Sequence, residues 1–376
     1  MIRFYTLLIT IILFSNSFDL HSQDKPKALR DTVDNAFDIS NYLYNLHGLL
    51  PIISPITEPA VGYGAAAAAM YFIPKKNVEK GKFKMPDIAA AFGGYTANNT
   101  WFAGLGYFGF WKEDRVRYRG IIGYGSVNLK YYGAGNPILS KYPVKFNIDA
   151  FFLIQQAIFR INKSNFFLGG KYQFSKSKVT LFKDSEIPVI NERDFDLIAS
   201  GVSIISEYEN FNNLFSPTKG IRIHLSYDQN LKVLGSDRDY GLITLFSHLY
   251  FPVKKVWVPG IRFESLLSLG DAPFYALPFI SLRGVPAFRY QGEMTVLLET
   301  EQLFNIKSRW GVLGFAGVGT TIKSLETMEK GDTAWNVGVG FRYLIARMLG
   351  MKMGIDVARG NEDWAFYIVM GSSWSK

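Results

Sequence analysis

Residues able to carry out catalysis or bind a metal are few and widely spaced in this sequence. The 376-residue chain has no cysteine, and His47, His224 and His248 share no ligand spacing. Disulfides, thiolate chemistry and a zinc site are therefore not expected. Residues 104–109 have the letters of a dinucleotide fingerprint, but they lie in an aromatic strand pattern that opens no helix. We expect neither a cofactor nor a metal.

Nucleophile motifs are also missing from the sequence. Ser203 comes nearest to a nucleophile elbow, in Gly201-Val-Ser-Ile-Ile205, and it lacks the second glycine. No phosphate-binding loop occurs. We therefore expect that the protein is not an enzyme. An active site of Ser, His and an acid needs no local motif, so it remains a secondary alternative.

Charge and composition favour an aromatic-rich strand protein with a basic surface. The net charge is +9, from 41 Lys and Arg against 32 Asp and Glu. The cations are dispersed, which favours anionic lipid headgroups over nucleic acid as their partner. With 48% hydrophobic and 19% charged residues, the chain is not a disordered one. The 35 glycines and 16% aromatic residues favour strands and bends over helices.

The first residues have the pattern of a cleaved secretory signal peptide. Arg3 precedes a short apolar run over residues 4–14, and cleavage after Ser22 or Gln23 fits residues 1–22 as the signal. The run is too short for a membrane-spanning helix, and no later segment is long enough. We expect residues 23–48 to be a leader or a lumen plug, and residues 49–376 to form the exported domain.

Alternation of apolar and small or charged residues continues along that whole domain. In the last segment Trp364, Phe366, Ile368, Met370 and Trp374 share one face. Bands of about ten residues with aromatic ends predict strands that cross a bilayer as a barrel, with the apolar face toward lipid. Sixteen strands are predicted, at 49–56, 60–73, 86–96, 99–111, 115–127, 146–161, 165–177, 195–208, 219–229, 239–252, 255–268, 290–304, 310–322, 333–345, 350–358 and 363–374.

Connection lengths agree with an outer-membrane barrel whose two termini lie in the periplasm. Tight turns at 111–115, 161–165 and 251–255 follow even-numbered strands, which is the periplasmic side of such a barrel. Longer connections at 128–145, 178–194 and 269–289 follow odd-numbered strands. The fold class predicted is therefore an all-β transmembrane antiparallel barrel in the outer membrane of a Gram-negative bacterium.

One late segment resembles the inward-folded sixth loop of the BamA/TamA superfamily (bacterial surface antigen family). It reads Ser281-Leu-Arg-Gly-Val-Pro-Ala-Phe-Arg-Tyr-Gln-Gly292. That loop has a hydrophobic–Arg–Gly–hydrophobic tetrad at its tip, which here is Leu282, Arg283, Gly284 and Val285. Ser216-Pro-Thr-Lys-Gly220 resembles the family's turn before the ninth strand. The resemblance implies an inward-folded loop whose tip gates or braces the barrel.

The loop arginine needs carboxylate partners if it lies inside a barrel. Glu299 and Glu301 point inward by strand parity, because they alternate with apolar residues, and so does Asp356. We predict that Arg283 pairs with one or more of these three. Arg289 and Arg342 are further lumen charges, expected as solvated rim or wall groups.

Two departures from the family pattern bear on function. Members usually carry POTRA domains ahead of the barrel and often an aspartate in the thirteenth strand, where this chain reads Phe315-Ala-Gly-Val-Gly319. We expect a barrel-only branch without POTRA domains. The first hypothesis is insertion or translocation of polypeptide or lipid, with a seam between a first strand weakened by Pro51 and Pro55 and a last strand ending at Trp374.

The alternatives are a plugged passive channel or structural surface protein and, second, an enzyme with its site at the barrel rim. Outer-membrane lipid is the expected partner in all of them. Client polypeptides and a periplasmic or lipoprotein partner belong to the first hypothesis. The barrel is expected to be monomeric.

Overall fold

The computed structural model describes residues 29–41, 48–73, 75, 86–133, 137–182 and 193–374. The predicted signal peptide lies outside the described residues. Residues 29–41 belong to a unit of their own, in which Arg30 and Phe37 form an antiparallel bridge around a turn. Whether this segment is a leader or a plug stays a prediction. None of the helices in the described ranges is long and apolar enough to cross a membrane.

Sixteen antiparallel strands follow one another in chain order in a single sheet that curls into a nearly closed barrel. Each strand pairs with its neighbour in sequence, so every connection is a hairpin. The predicted all-β antiparallel barrel and its strand number are confirmed. The strands are β1 Gly48–Ile56, β2 Gly64–Ile73, β3 Asp87–Thr96, β4 Trp101–Trp111, β5 Val116–Tyr131, β6 Val144–Arg160, β7 Phe166–Leu181, β8 Arg193–Glu209, β9 Gly220–Asn230, β10 Tyr240–Tyr250, β11 Trp257–Gly270, β12 Met294–Asn305, β13 Trp310–Ser324, β14 Glu329–Ala346, β15 Met351–Gly360 and β16 Trp364–Met370.

Side chains alternate between the outside of the barrel and its lumen, as period-two strands require. In β14 the apolar Trp335, Val337 and Val339 are exposed, whereas Ala334 and Asn336 between and beside them are buried. Large apolar side chains therefore cover the outer surface, and small or polar ones point inward. This inversion of the soluble pattern is that of a barrel surrounded by lipid.

The predicted end of the last strand is wrong. β16 ends at Met370, and Gly371 takes a φ of +83°, which favours glycine. A Cβ at this position would lie only 2.7 Å from the Phe215 carbonyl oxygen. The chain therefore leaves the strand here, and Trp374 is 2% exposed instead of facing outward. The alternating pattern of the sequence continues past the turn, so it concealed the end of the strand.

Most other boundaries differ by a few residues, and the connections shorten accordingly. A one-turn helix, α1 (Pro137–Lys141), lies in the β5–β6 connection and was not predicted. The β11–β12 connection, residues 271–293, is the longest fully described one, and we call it the inner loop. Residues 210–219, between β8 and β9, form a long connection after an even strand; we call them the strap.

Candidate functional site

The inner loop enters the barrel as a narrow, self-bonded arch. Ile280 N donates to Tyr290 O at 3.0 Å, and Gly292 N donates to Pro278 O at 3.1 Å. Its apolar side chains pack in one buried cluster with residues of β12 and β14. The members of that cluster are Ile280, Leu282, Val285, Tyr290, Leu297 and Ala334. Burial of Leu282 and Val285 on both sides of the tip fixes the position of Arg283 between them.

Arg283 lies among the three carboxylates named from the sequence. Its Nη2 is 3.0 Å from Glu299 Oε1 and 2.9 Å from Glu301 Oε1, and its Nη1 is 2.7 Å from Asp356 Oδ2. Glu299 and Asp356 are 1% and 0% exposed. Because the guanidinium is planar and has five N–H donors, it can bond to several carboxylates at once, which a lysine cannot match.

Gly284 brings the loop tip against β15 and β16. Its φ is +81°, and a Cβ there would lie 2.9 Å from Gly360 N. Its own N–H donates to Tyr367 Oη at 2.8 Å. A side chain at this position would push the tip away from the wall, so the glycine follows from the close approach of the two backbones.

Phe315 belongs to the stretch of the thirteenth strand, residues 315–319, that contains no acid. The Arg283 guanidinium lies over its ring, with Cζ 3.5 Å from the centroid. A cation on an aromatic face is stabilised by the ring quadrupole, most strongly when water is excluded. Nearby Gly317 leaves space for Leu282 and the Glu299 side chain, whose atoms lie 3.0 Å from a Cβ built there.

Two further arginines belong to the same buried cluster. Arg342 pairs with Asp356, with Nη2 3.0 Å from Oδ2, and is 5% exposed. The prediction that Arg342 is a solvated rim or wall charge is therefore wrong. Arg262, which the sequence analysis missed, donates to Glu299 Oε2 at 3.2 Å and to Glu264 Oε2 at 3.1 Å. We call Arg262, Arg283, Arg342 and their four carboxylates the arginine cluster.

The residues after β16 add further hydrogen bonds to the carboxylates of the arginine cluster. Trp374 Nε1 donates to Glu299 Oε2 at 2.7 Å, and Ser373 Oγ donates to Glu301. The Trp374 ring lies 5.4 Å from that of Tyr250. These contacts depend on the turn at Gly371, so strand parity alone could not reveal them.

Arg289 lies higher in the inner loop and outside the arginine cluster. Its Nε donates to Glu362 Oε1 at 3.0 Å, and its Nη1 donates to Ser140 Oγ at 3.1 Å. Its side chain is 11% exposed. It therefore ties the loop to the β15–β16 turn and to α1 and does not stand as a free lumen charge.

The barrel closes without a backbone ladder. β1 and β16 are the two edges of the sheet, and no backbone pairing joins them within the described residues. Side chains make the contact instead: Thr57 Oγ1 donates to the Phe366 carbonyl, and the Tyr63 and Phe366 rings stack at 6.2 Å. We call this junction the seam.

The turn between β1 and β2 also contacts the inner loop. The backbone N–H groups of Ala287 and Ala60 donate to the carboxyl of Glu58. Burial raises the pKa of Glu58 above its usual range, and these two hydrogen bonds lower it by a smaller amount. The first hairpin, the inner loop and the last strand therefore meet at one end of the seam.

The strap crosses the opposite mouth of the barrel, from β8 and β9 to the last strands. Asn213 Nδ2 donates to Leu349 O at 2.8 Å, and Lys352 N donates to Ser216 Oγ at 2.9 Å. Ser216, Pro217 and Thr218 line a partly open cavity together with Glu301 and Arg342. The lumen beside the cluster is thus covered on this side.

Comparison with known proteins places this fold among barrels of the BamA and CdiB type. BamA from Haemophilus ducreyi, solved without its POTRA domains 1–3, superposes with a TM-score of 0.59 at 14% identity, covering 85% of this chain and 70% of that one. CdiB from Acinetobacter baumannii gives a TM-score of 0.57 at 12% identity, covering 86% and 59%. CdiB from Escherichia coli gives 0.58 at 11% identity, covering 85% and 62%.

The sequence resemblance to the BamA/TamA superfamily is confirmed at the level of the barrel fold. This chain spans about three fifths of the length of the two CdiB chains. No protein-family model matches the sequence, and no curated protein matches it. Identity of 11–14% supports the fold and leaves function to be argued from the site.

Proposed function

We propose that this protein assists the insertion or translocation of polypeptide or lipid at the outer membrane of a Gram-negative bacterium, acting through the seam. The observation that carries the proposal is the junction of β1 and β16, where two strand edges meet through side chains. Unpaired edge strands offer free backbone donors and acceptors to an incoming chain. In β1, Pro51 and Pro55 have no backbone N–H, so fewer donors are available for pairing β1 with β16.

The inner loop acts as the brace or gate of this seam. Its tip is bonded to β12 and β15 through Arg283 and to β16 through Gly284 and Tyr367. A strand that moves at the seam must break or carry these contacts. The similarity in fold to BamA and the two CdiB barrels supports placing this barrel in a membrane, with its outer surface in lipid and its even turns in the periplasm.

A locked seam tests the proposal directly, because the chain has no cysteine of its own. Thr57→Cys with Phe366→Cys places a cysteine directly after β1 beside one in β16, so that a disulfide can lock the seam. The matched control is Val357→Cys with Phe366→Cys, which joins β15 to its regular partner β16 and leaves the seam free. Each variant is expressed in cells as the only copy of the protein. The protein content of their outer membranes is then compared with that of wild-type cells by quantitative proteomics.

The seam-locked variant is expected to deplete other outer-membrane proteins under oxidising conditions and to recover under reduction. The control lock is expected to leave the proteome unchanged. Depletion of the whole protein, complemented with wild type or Arg283→Ala, separates the loop from the seam. An unchanged proteome after depletion would overturn the assembly role.

The second candidate is a plugged channel or structural surface protein. It is favoured by the two coverings of the lumen, the inner loop and the strap. A barrel of this kind predicts an unchanged outer-membrane proteome together with conductance once both coverings are released.

A further inference from the structure

The described turn residues give the two rims of the barrel opposite charge. Exposed cations of the even turns make no ion pair with any described carboxylate. They are Lys112, Arg115, Lys163, Lys219, Lys254, Lys255 and Lys307. Among the described even-turn residues, Glu113 is the one exposed carboxylate. The even-turn rim is therefore strongly basic.

The odd turns reverse this balance. Their exposed carboxylates outnumber their exposed cations, which are Lys141, Lys232 and Arg238. The carboxylates are Asp237, Asp239, Asp271, Glu326, Glu362 and Asp363. Arg238 is paired with Asp271, with Nη1 3.1 Å from Oδ2, and Arg289 is paired with Glu362, which leaves four of these carboxylates and two of these cations outside ion pairs. The odd-turn rim is therefore acidic.

Aromatic side chains mark the level of the bilayer surface at the basic rim. Trp111 and Trp310 are exposed at the ends of β4 and β13, and Trp257 stacks on Phe304 at 6.0 Å. Such rings locate at the headgroup level of a membrane. Lys112 directly follows Trp111, and Lys255 and Lys307 lie two and three residues before Trp257 and Trp310. These cations thus lie within reach of lipid headgroups.

The same turns expose apolar side chains beside their cations. Val253 and Val256 flank Lys254 and Lys255, and Ile306 precedes Lys307; the exposed fractions of these apolar residues are 49%, 54% and 63%. Apolar groups at the acyl boundary with cations above them suit a lipid interface. A soluble acidic partner would not require exposed apolar residues at both of these turns.

We propose that the even-turn rim is a binding surface for anionic phospholipid headgroups. The lysines contact the headgroup phosphates, and the neighbouring apolar side chains enter the acyl region. The rim therefore collects a shell of anionic phospholipid in the leaflet it faces. The acidic rim repels the same lipids, so the barrel prefers one orientation in a bilayer whose leaflets differ. The inference rests on the membrane placement proposed above and is independent of any movement at the seam.

Lipid selectivity of the full-length protein tests the proposal. The refolded protein is reconstituted in phosphatidylcholine vesicles, and the motionally restricted fraction of spin-labelled phosphatidylglycerol is compared with that of spin-labelled phosphatidylcholine. We expect phosphatidylglycerol to be preferred and the preference to fall as salt is raised, because exposed charges are screened. Each cation near an anionic surface strengthens association by about fivefold.

The variant with Lys254→Glu, Lys255→Glu and Lys307→Glu is expected to lose most of this preference. The matched control places three reversals on the other rim, Lys141→Glu, Lys232→Glu and Arg238→Glu, and is expected to keep it. Heat-modifiability on gels confirms that each variant is folded. If reversal impairs folding, Lys254→Gln with Lys255→Gln gives the same test with a smaller loss.

Equal association of the two lipids with wild type would overturn the proposal. So would a preference that survives reversal of the even-turn rim. Loss of the seam function in the assembly assay leaves this measurement unaffected, so failure of either proposal can be recognised separately.

Discussion

Arg283 is the residue on which the interior of the barrel depends most. Arg283→Ala leaves Glu299, Glu301 and Asp356 close together with one of their shared cations removed. Removing one partner of a buried ion pair typically costs about 3–5 kcal/mol. We expect a loss of that size in the free energy of unfolding, measured by urea titration in lipid vesicles.

The control for this measurement is Arg238→Ala. Its ion pair with Asp271 is exposed, with side chains 44% and 77% accessible, and exposed pairs contribute little. Equal losses in the two variants would contradict the proposed role of Arg283 as a brace. Arg283→Lys is expected to recover only part of the loss, because an ammonium cannot bond three carboxylates and stack on Phe315 together.

Glu58 makes the stability of the closed seam depend on pH. Its pKa in the folded protein is raised by burial, so the folded state binds the proton more tightly than the unfolded state. This contribution to stability is complete below the unfolded pKa, near the usual 4.5 of a glutamate, and is lost as the pH rises through the folded pKa. Glu58→Gln is expected to flatten the pH profile of the unfolding temperature in this window. An unaltered profile would show that Glu58 does not titrate with folding.

At the scale of residues, the sequence identified the charges that strand parity can place. Glu299, Glu301 and Asp356 alternate with apolar neighbours, so their inward direction could be inferred. The contacts of Trp374 and Ser373 with the arginine cluster could not be predicted, because the position of both residues depends on one left-handed glycine after β16. Residues 315–319 were noted for containing no acid, whereas the contribution of Phe315 is an aromatic face under the guanidinium.

At the scale of elements, the strap is the least expected feature. Its sequence was noted as a turn before the ninth strand, yet it reaches the β14–β15 turn and the end of β16. Hydrophobic periodicity predicts strands and says nothing about where an irregular connection lies. Contacts between distant parts of the chain decide that, here through Asn213 and Ser216.

Freeing the strap is expected to open the mouth that it covers. Asn213→Ala with Ser216→Ala removes both hydrogen bonds to the last strands. Asn212→Ala is the control, since Asn212 bonds within the strap and leaves those contacts intact. We expect faster protease cleavage within residues 210–219 for the double variant only. Equal cleavage of wild type and double variant would show that the strap is held by other contacts.

At the scale of the whole molecule, two coverings lie in series along the lumen. The inner loop fills one part and the strap crosses one mouth. Deleting residues 281–289 alone is therefore expected to raise single-channel conductance in planar bilayers only slightly. The deletion combined with Asn213→Ala and Ser216→Ala is expected to conduct steadily. Full conductance from the loop deletion alone would contradict a second barrier.

The whole fold was the most predictable level, because sixteen alternating segments and the parity of their connections repeat one simple rule. The opposite charges of the two rims were less visible, because they emerge only when the turns are sorted by the side on which they lie. The seam was anticipated through Pro51 and Pro55, and its side-chain closure by Thr57, Tyr63 and Phe366 was not.

The hydrogen bond from Trp374 to Glu299 has a consequence for how the chain folds. It joins positions 75 residues apart, and the arginine cluster also needs β11, β15 and the inner loop in place. Contacts between distant positions form late, because the entropy of closing the intervening chain must be overcome first. Until the last strands arrive, Arg283 has the carboxylates of β12 and lacks that of Asp356. The arginine cluster can therefore be completed only in the final step of folding, and a barrel arrested earlier keeps an inner loop that protease can reach.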